Sequence, residues 1–240
     1  MLLLDIGNSR CKWALVENGV WLCQGVLENS ELQRLPTVIG EIPASARVMV
    51  SHVAGEAVAA QLRDYLAAMH CDPTFIQAEV ERCGVRNGYR TPQQLGSDRW
   101  AALIAAHHRV VGACLVVNCG TATTIDALSA EGEFLGGLIL PGLSLMLSSL
   151  SANTARLTEQ AGSLLDFPRD TADAMLSGAV RATQGAILRQ LDLLQQRAGA
   201  VRCLLSGGAS SMVMQALPVQ IEYDEHLVLH GLQILGESEA

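Results

Sequence analysis

The sequence has few aromatic side chains, since Phe, Trp and Tyr make up only 4% of its 240 residues. Half of the residues are apolar, so a sizeable core is available, and we expect it to be built from Leu, Val, Ile and Ala. Positive charge is also scarce, because 16 Lys and Arg stand against 24 Asp and Glu, for a net charge of −8. Nucleic-acid-binding proteins are usually basic, so this balance argues against that class of partner but not against a local basic pocket for an anion.

Long hydrophobic runs and paired cysteines are missing as well. The apolar stretch from Leu138 to Leu150 is interrupted by Pro141, Gly142 and several serines, and it is too short to span a bilayer. No basic segment precedes a long apolar stretch at the N-terminus, so we expect no signal peptide, no membrane partner and a cytoplasmic protein. The seven cysteines are odd in number and form no CxxC pair, which disfavours zinc sites and disulfides and favours buried free thiols.

Two segments of the sequence follow the same pattern, which predicts an internal duplication. An apolar strand ending at Leu4 leads into Asp5-Ile6-Gly7-Asn8, and another, Leu115–Val117, leads into Asn118-Cys119-Gly120-Thr121. Both segments then continue through a strand, a turn and a further strand. A chance match of two glycine turns is the alternative, and the shared order of elements makes it the weaker one. We therefore predict an α/β protein of two similar halves, residues 1–112 and 113–240.

Apolar spacing predicts alternating helices and strands in the rest of the chain. The predicted helices are 55–70, 100–111, 171–198 and a short one from Asp224 to the end. The predicted strands include 47–53, 75–76 and 201–205. A break in the long helix at Gly178 or Gly185 is left open. The Asn18-Gly19 pair favours a type I′ hairpin turn, and the polar segment 84–100 is expected to be a loop.

Three predicted strands end in polar turns that contain glycine, at Asp5–Ser9, Gly120–Thr123 and Ser206–Gly208. Glycine lets the backbone approach a ligand closely, and exposed N–H groups and hydroxyls can then hold phosphate oxygens. An acid beside such a loop, as Asp5 is, can hold a hydrated Mg²⁺ that bridges phosphates. Each turn alone could be ordinary, but the three together favour a nucleotide cleft between the halves. No GxxxxGK[ST] sequence is present, so this is not a P-loop.

Asp98 and Arg99 form a second candidate site. Taken alone, Asp98 could simply stabilise the start of a helix, and Arg99 could be a solvated surface charge. At the mouth of a cleft, Asp98 could instead accept the proton of a substrate hydroxyl. Arg99 could hold a carboxylate through two parallel hydrogen bonds. The residues alone leave both interpretations open.

Several motifs in order make nearly the whole chain resemble the type III pantothenate kinases, a family that includes the Bvg accessory factors. The motifs are DxGN(S/T) at 5–9, a Tyr and a Pro at Tyr89 and Pro92 before LGxDRW at 95–100, DxGTAxTxD at 118–126, GGxIxPG at 136–142, (N/D)TxxAxxSG at 170–178 and LLSGG at 204–208. The family shares the fold of actin, acetate kinase, sugar kinases and heat-shock chaperone ATPases. The resemblance therefore implies two duplicated ribonuclease-H-like halves with a nucleotide cleft between them.

The resemblance also implies an activity, namely ATP-dependent phosphorylation of the primary hydroxyl of pantothenate to 4′-phosphopantothenate, the first step of coenzyme A synthesis. Asp98 would be the general base. The implied pantothenate pocket consists of Tyr89, Gly96, Ser97, Asp98, Arg99 and Thr171. The implied ATP-binding residues are Asp5, Ile6, Gly7, Asn8, Ser9, Arg10, Cys11, Lys12 and Thr121, with Asp5 acting through water on Mg²⁺. The family works as a homodimer in which the partner subunit helps to form the pantothenate pocket.

Asn118 departs from the family pattern, which has at this position an aspartate that ligates a monovalent cation. An amide oxygen can still ligate K⁺ or NH₄⁺, but it supplies no negative charge, so we expect no strong requirement for such a cation. Cys119 is expected to be a small buried residue rather than a nucleophile.

Three questions stay open at the level of the sequence. The protein could be a kinase for a sugar or for acetate, although the LGSDRW segment argues against that. It could also be a regulatory or accessory protein that keeps the fold without strong catalysis. The small-residue face of the predicted 171–198 helix could form the dimer interface, or it could equally pack within one chain.

Overall fold

Two packing units make up the chain in the computed structural model, which describes all residues except 41, 44, 155–160, 216, 218–219 and 239–240. Unit 1 consists of Met1–Arg109, Gly132–Phe134 and His226–Ala240. Unit 2 consists of Val110–Glu131 and Leu135–Glu225. Among the described residues, no helix is long and apolar enough to cross a membrane.

The described strands and helices alternate along the chain. The strands are β1 (Leu2–Ile6), β2 (Arg10–Glu17), β3 (Val20–Glu28), β4 (Val48–His52), β5 (Pro73–Phe75), β6 (Glu81–Arg82), β7 (Val85–Asn87), β8 (Ala113–Cys119), β9 (Ala122–Leu128), β10 (Glu133–Pro141), β11 (Val201–Ser206) and β12 (Ile221–Tyr223). The α-helices are α1 (Leu35–Ile39), α2 (Glu56–Ala68), α3 (Ser97–Arg109), α4 (Leu143–Asn153), α5 (Thr171–Ala198), α6 (Ser210–Met214) and α7 (Leu227–Glu237). Short 3₁₀ helices cover Asn29–Arg34 and Pro92–Gln94.

The main sheet of unit 1 has the strand order β3-β2-β1-β4-β5. Strands β1, β2 and β3 form the predicted antiparallel meander, while β4 runs parallel to β1 and β5 runs parallel to β4. Asn18 and Gly19 both have positive φ angles, 50° and 78°, as the predicted type I′ turn requires. In register, Asp5 lies between Lys12 of β2 and Ser51 of β4, so both neighbouring strands contribute a polar residue beside it.

Unit 2 repeats this strand order as β10-β9-β8-β11-β12. Strand β9 is antiparallel to β8, whereas β11 is parallel to β8 and β12 is parallel to β11. Asn118 lies between Thr124 and Ser206 and so has the place in unit 2 that Asp5 has in unit 1. The predicted duplication of one α/β arrangement is therefore confirmed. The division into halves 1–112 and 113–240 stays a prediction, and the packing units differ from it in assigning α7 to unit 1.

The core of each unit is largely aliphatic, as the composition predicts. Trp100 and Phe134 are nevertheless among the largest fully buried side chains. Five of the free cysteines, including Cys119, are buried, but Cys23 is exposed on β3 and Cys83 is half-buried. The expectation of buried thiols is therefore wrong for Cys23, because β3 is the edge strand of its sheet and exposes much of its surface.

Helix α3 differs from its predicted bounds, and the possible break in α5 is absent. Helix α3 begins at Ser97, earlier than the predicted start near Trp100, and ends at Arg109. Helix α5 continues without a break through Gly178 and Gly185. One face of α5 is buried in the core of unit 2 through Val180, Ile187, Leu191 and Leu194. That burial outweighs the cost of about 1 kcal/mol that each helical glycine carries relative to alanine.

Gly231 marks a close approach of α7 to α3. A Cβ at this position would overlap the carbonyl oxygen of Ala101 and lie 2.5 Å from its carbonyl carbon. Because helix backbone cannot yield as a flexible side chain can, we expect Gly231→Ala to lower the free energy of unfolding by about 3 kcal/mol. Chemical denaturation of the purified variant measures this loss.

Gly185→Ala is the matched control, since a Cβ at Gly185 meets no described atom within 4 Å. This substitution should leave the free energy of unfolding unchanged or raise it by up to about 1 kcal/mol. Equal losses in the two variants would contradict the assigned role of Gly231.

Candidate functional site

Asp5 lies near the carboxyl end of β1, where side chains from both neighbouring strands act on it. Burial, and after it the negative charge of Asp98, raises the pKa of Asp5 to about 7. The positive charge of Lys12 and a hydrogen bond from Ser51 oppose this shift. A half-buried carboxyl group whose ionised form is disfavoured in this way is well suited to a bound cation, which would restore the ionised form.

The turn from β1 to β2 exposes Asn8 and Ser9. It is closed by a hydrogen bond from the Gly7 N–H to the Arg10 carbonyl at 2.9 Å. The Asn29 side chain donates a second hydrogen bond, 2.8 Å long, to the Gly7 carbonyl. A Cβ at Gly7 would make only an ordinary 3.5 Å contact, so packing within unit 1 does not demand glycine here. Glycine at this position is instead explained if a ligand closely approaches the backbone of the turn.

The other residues predicted to contact ATP in unit 1 differ in what they offer. The side chains of Ile6 and Cys11 are fully buried, which leaves only their backbone groups for a ligand. Burial also raises the pKa of the Cys11 thiol, so this cysteine is not a nucleophile. Arg10 pairs with Glu28 on an exposed surface, with 2.9 Å between Nε and Oε1. Lys12 lies beside Asp5 in the sheet, and its charge acts directly on that carboxyl group.

Asp98 lies in the first turn of α3, and its Oδ1 accepts the N–H of Arg99 at 2.8 Å. Burial raises the pKa of Asp98, while this hydrogen bond and the charge of Arg99 act in the opposite direction. A raised pKa suits a carboxylate that has to take up a proton. A Cβ at Gly96 would lie 2.6 Å from Oδ1 of Asp98, so glycine at that position leaves room for the carboxylate.

Arg99 is only 5% exposed and lies beside a pair of aromatic rings. Its Nη1 donates a hydrogen bond to the Tyr89 hydroxyl at 2.9 Å. Its Cζ lies 5.6 Å from the ring centroid of Tyr89 and 5.7 Å from that of Phe134. The structure thus brings together Tyr89 and Arg99, which the motif predicts to share a pocket, and it adds Phe134 to them.

Sequence reasoning missed three residues that support this site: Ser51, Asn87 and Phe134. Asn87 accepts the N–H of Tyr89 at 3.0 Å and donates to the carbonyl of Pro92 at 3.2 Å, which fixes the loop carrying Tyr89. Phe134 is brought to Tyr89 because the start of β10 pairs with β7. These three belong to none of the recognised motifs, and only the Asn87-Gly88 pair carries a local signal, that of a turn.

The remaining predicted site residues lie in unit 2. Asn118 lies near the end of β8, and a Cβ at Gly207 would lie 2.7 Å from its Oδ1. Thr121 is exposed in the following turn, and its carbonyl accepts the N–H of Gly142 at 2.9 Å. Thr171 is exposed at the first residue of α5. The amide oxygen of Asn118 could serve as a cation ligand, but it brings no negative charge.

Comparison with known proteins identifies relatives along the whole chain. A sequence model of the type III pantothenate kinase family matches residues 1–192. A type III pantothenate kinase from Aromatoleum aromaticum is 43% identical over 240 residues, which cover 100% of this chain and 99% of the relative.

Solved structures show the same fold. A protein from Campylobacter jejuni described as a Baf family transcriptional activator is 25% identical, with a TM-score of 0.63 and coverage of 100% of this chain and 99% of that one. An inorganic polyphosphate/ATP-glucomannokinase from Arthrobacter is 13% identical, with a TM-score of 0.54 and coverage of 100% and 99%, and shows the fold alone. The predicted fold class, that of the sugar kinases and actin, is therefore confirmed.

Proposed function

The chain belongs to the type III pantothenate kinase family, and on that premise we propose that it transfers the γ-phosphoryl group of ATP to the primary hydroxyl of pantothenate. The product would be 4′-phosphopantothenate, for coenzyme A synthesis. The observation that carries the proposal is the placement of Asp98, with its pKa raised by burial, directly beside the buried cation of Arg99. A proton acceptor next to a carboxylate-binding cation matches a substrate that has both a hydroxyl and a carboxylate.

Asp98 would act as the general base. Its carboxylate takes the proton of the primary hydroxyl while that oxygen bonds to the γ-phosphorus. The bond from the γ-phosphorus to the β–γ bridging oxygen breaks, and ADP leaves with the electron pair. Phosphoryl transfer depends mainly on positioning and on charge stabilisation, so a base fixed in the first turn of a helix suits this step.

Arg99 would bind the carboxylate of pantothenate. A guanidinium carries several N–H donors, and the hydrogen bond to Tyr89 uses one of them. The rings of Tyr89 and Phe134 lie beside the guanidinium, and the planar arrangement of its donors favours a paired contact with a carboxylate over a single one. Gly96, Ser97 and Thr171 complete the proposed pocket by analogy with the family motif.

ATP would be held by the turn after β1 and by Thr121. Asn8 and Ser9 are exposed there, and Lys12 supplies a positive charge beside Asp5. Asp5 would hold Mg²⁺ through water, and the ion would neutralise charge on the phosphates. A site for K⁺ or NH₄⁺ at Asn118 and a homodimer that completes the pantothenate pocket are further parts of the proposal.

A substrate panel tests this function. The purified protein with ATP and Mg²⁺ should release ADP when pantothenate is added and not with a hexose or with acetate. Turnover of a hexose or acetate alone would favour another kinase of this fold, and turnover of none of the three would favour an accessory protein. The same assay in Na⁺, K⁺ or NH₄⁺ should give rates within about threefold of one another, because Asn118 supplies only an uncharged amide oxygen.

A further inference from the structure

Ser51 links Asp5 to Ser97, the residue before Asp98, although it lies outside all of the recognised motifs. It is fully buried on β4. Because β4 runs parallel to β1, it lies beside Asp5 in register, and its hydroxyl hydrogen-bonds the Asp5 carboxyl group. On its other side, the Oγ of Ser51 lies 3.1 Å from the Oγ of Ser97. A single hydroxyl therefore contacts both the end of β1 and the start of α3.

The direction of the hydrogen bonds around Ser51 follows from which groups can donate and which can only accept. When Asp5 is ionised, as it would be beside a bound cation, its carboxylate only accepts, so Ser51 donates to Asp5. The Oγ of Ser51 can then accept from Ser97 across the 3.1 Å contact, and the Ser97 hydroxyl also lies 3.3 Å from the His52 carbonyl, to which it can donate. Ser97 itself accepts the backbone N–H of His52 at 3.0 Å. When Ser97 donates to Ser51, the order is His52, Ser97, Ser51 and Asp5, with each group donating to the next. Such chains strengthen each bond in a buried environment.

The hydrogen bond between Ser51 and Ser97 also restrains the proposed base, because Ser97 is the first residue of α3 and Asp98 follows it directly. The same turn is closed by the N–H of Trp100, which donates to the Gly96 carbonyl at 2.9 Å. A change at Ser97 therefore moves the backbone from which the Asp98 side chain extends.

We propose that Ser51 is a positioning residue, whose hydroxyl holds the Asp5 carboxylate and the first turn of α3, and with it Asp98, in one fixed arrangement. The inference rests on the proposed function, since fixing these groups matters only if Asp5 serves the phosphates and Asp98 the hydroxyl. Small displacements of reacting groups cost much of the rate, because the transfer needs the attacking and leaving oxygens in line.

The test is Ser51→Ala, which removes the hydroxyl and leaves the strand. We expect kcat to fall about 10-fold, while the KM values for pantothenate and ATP change by less than about twofold. Hydrogen exchange of the Trp100 amide should speed up about 10-fold, because the first turn of α3 is no longer held. If Ser51→Ala does not fold, Ser51→Cys replaces it, since a thiol is a weak donor of similar size, and should change both readouts in the same direction.

Thr183→Val is the matched control. The Thr183 hydroxyl is fully buried and donates to the Ala179 carbonyl at 3.0 Å inside α5, so its removal should leave kcat and Trp100 exchange unchanged. An unchanged kcat in Ser51→Ala would overturn the proposal, and so would a fall in the kcat of Thr183→Val equal to that of Ser51→Ala. If the wild-type protein does not phosphorylate pantothenate, the proposed function fails, and exchange at Trp100 still decides whether Ser51 holds the turn.

Discussion

Asp98→Asn is expected to lower kcat for pantothenate phosphorylation about 1,000-fold and to leave the Kd for ATP within about twofold of the wild-type value. The amide oxygen can still accept the N–H of Arg99, which Oδ1 of Asp98 accepts at 2.8 Å, so the first turn of α3 is kept. An amide cannot take up a proton, however, and the general base is lost. A coupled assay of ADP release and calorimetric titration with ATP measure the two quantities.

The pH dependence of kcat in the wild-type enzyme is a second test of the role of Asp98. Asp98 acts only when ionised, and burial raises its pKa, so the acid limb of kcat should lie at higher pH than for an ordinary aspartate. Asp192→Asn is the control, because this carboxylate is exposed and pairs with Arg189 on α5, and it should keep full activity. Retention of more than about a tenth of kcat in Asp98→Asn would show that another group accepts the proton.

Asp5→Asn is expected to lower kcat/KM for ATP about 100-fold at saturating pantothenate. The substitution keeps the size of the side chain and an oxygen that can accept the Ser51 hydroxyl. It removes the negative charge that would hold Mg²⁺ through water, so the phosphates lose that part of their charge stabilisation. Initial rates over a range of ATP and Mg²⁺ concentrations measure the effect.

The pH dependence of unfolding, measured without Mg²⁺, distinguishes a role of Asp5 in holding Mg²⁺ from a role in stabilising the fold. The pKa of Asp5 is raised from 3.8 to about 7, so the folded state binds a proton that the unfolded state has lost. The contribution of this group to stability is therefore present in acid and is lost as the pH rises from about 4 to 7. Asp5→Asn should remove that decline, so the variant loses activity without losing stability at neutral pH.

The control for Asp5→Asn is Asp64→Asn, an exposed aspartate of α2 in the same unit. It should leave kcat/KM for ATP unchanged. Equal losses of activity in both variants, or unfolding of Asp5→Asn at neutral pH, would contradict the role given to Asp5.

The duplication could be predicted from the sequence because its signal is local. Leu2–Ile6 and Ala113–Cys119 are buried strands that each lead into a polar glycine turn and a hairpin, and this order is visible in the residues themselves. The type I′ turn at Asn18-Gly19 was predictable for the same reason, since only a few residue types adopt positive φ there.

The residues that hold the site residues in place could not be predicted, because their roles depend on contacts between segments that are distant in the sequence. Ser51 acquires its role from the register of β4 against β1, and Phe134 from the pairing of β10 with β7. Neither register is encoded in the few residues around these positions. The continuity of α5 through Gly185 likewise depends on the core that it covers rather than on helix propensity. The motif residues Asp98 and Arg99 were found, but their burial and the partners Tyr89 and Phe134 required the fold.

Phosphorus NMR of the product tests the central claim most directly. The purified protein is incubated with ATP, Mg²⁺ and pantothenate, and the phosphorylated compound is examined for coupling between phosphorus and the hydrogens of the primary alcohol carbon. We predict a single phosphomonoester at that carbon, formed by the wild-type protein and about 1,000-fold more slowly by Asp98→Asn. Formation of no phosphopantothenate, or its formation at an undiminished rate by Asp98→Asn, would contradict the account.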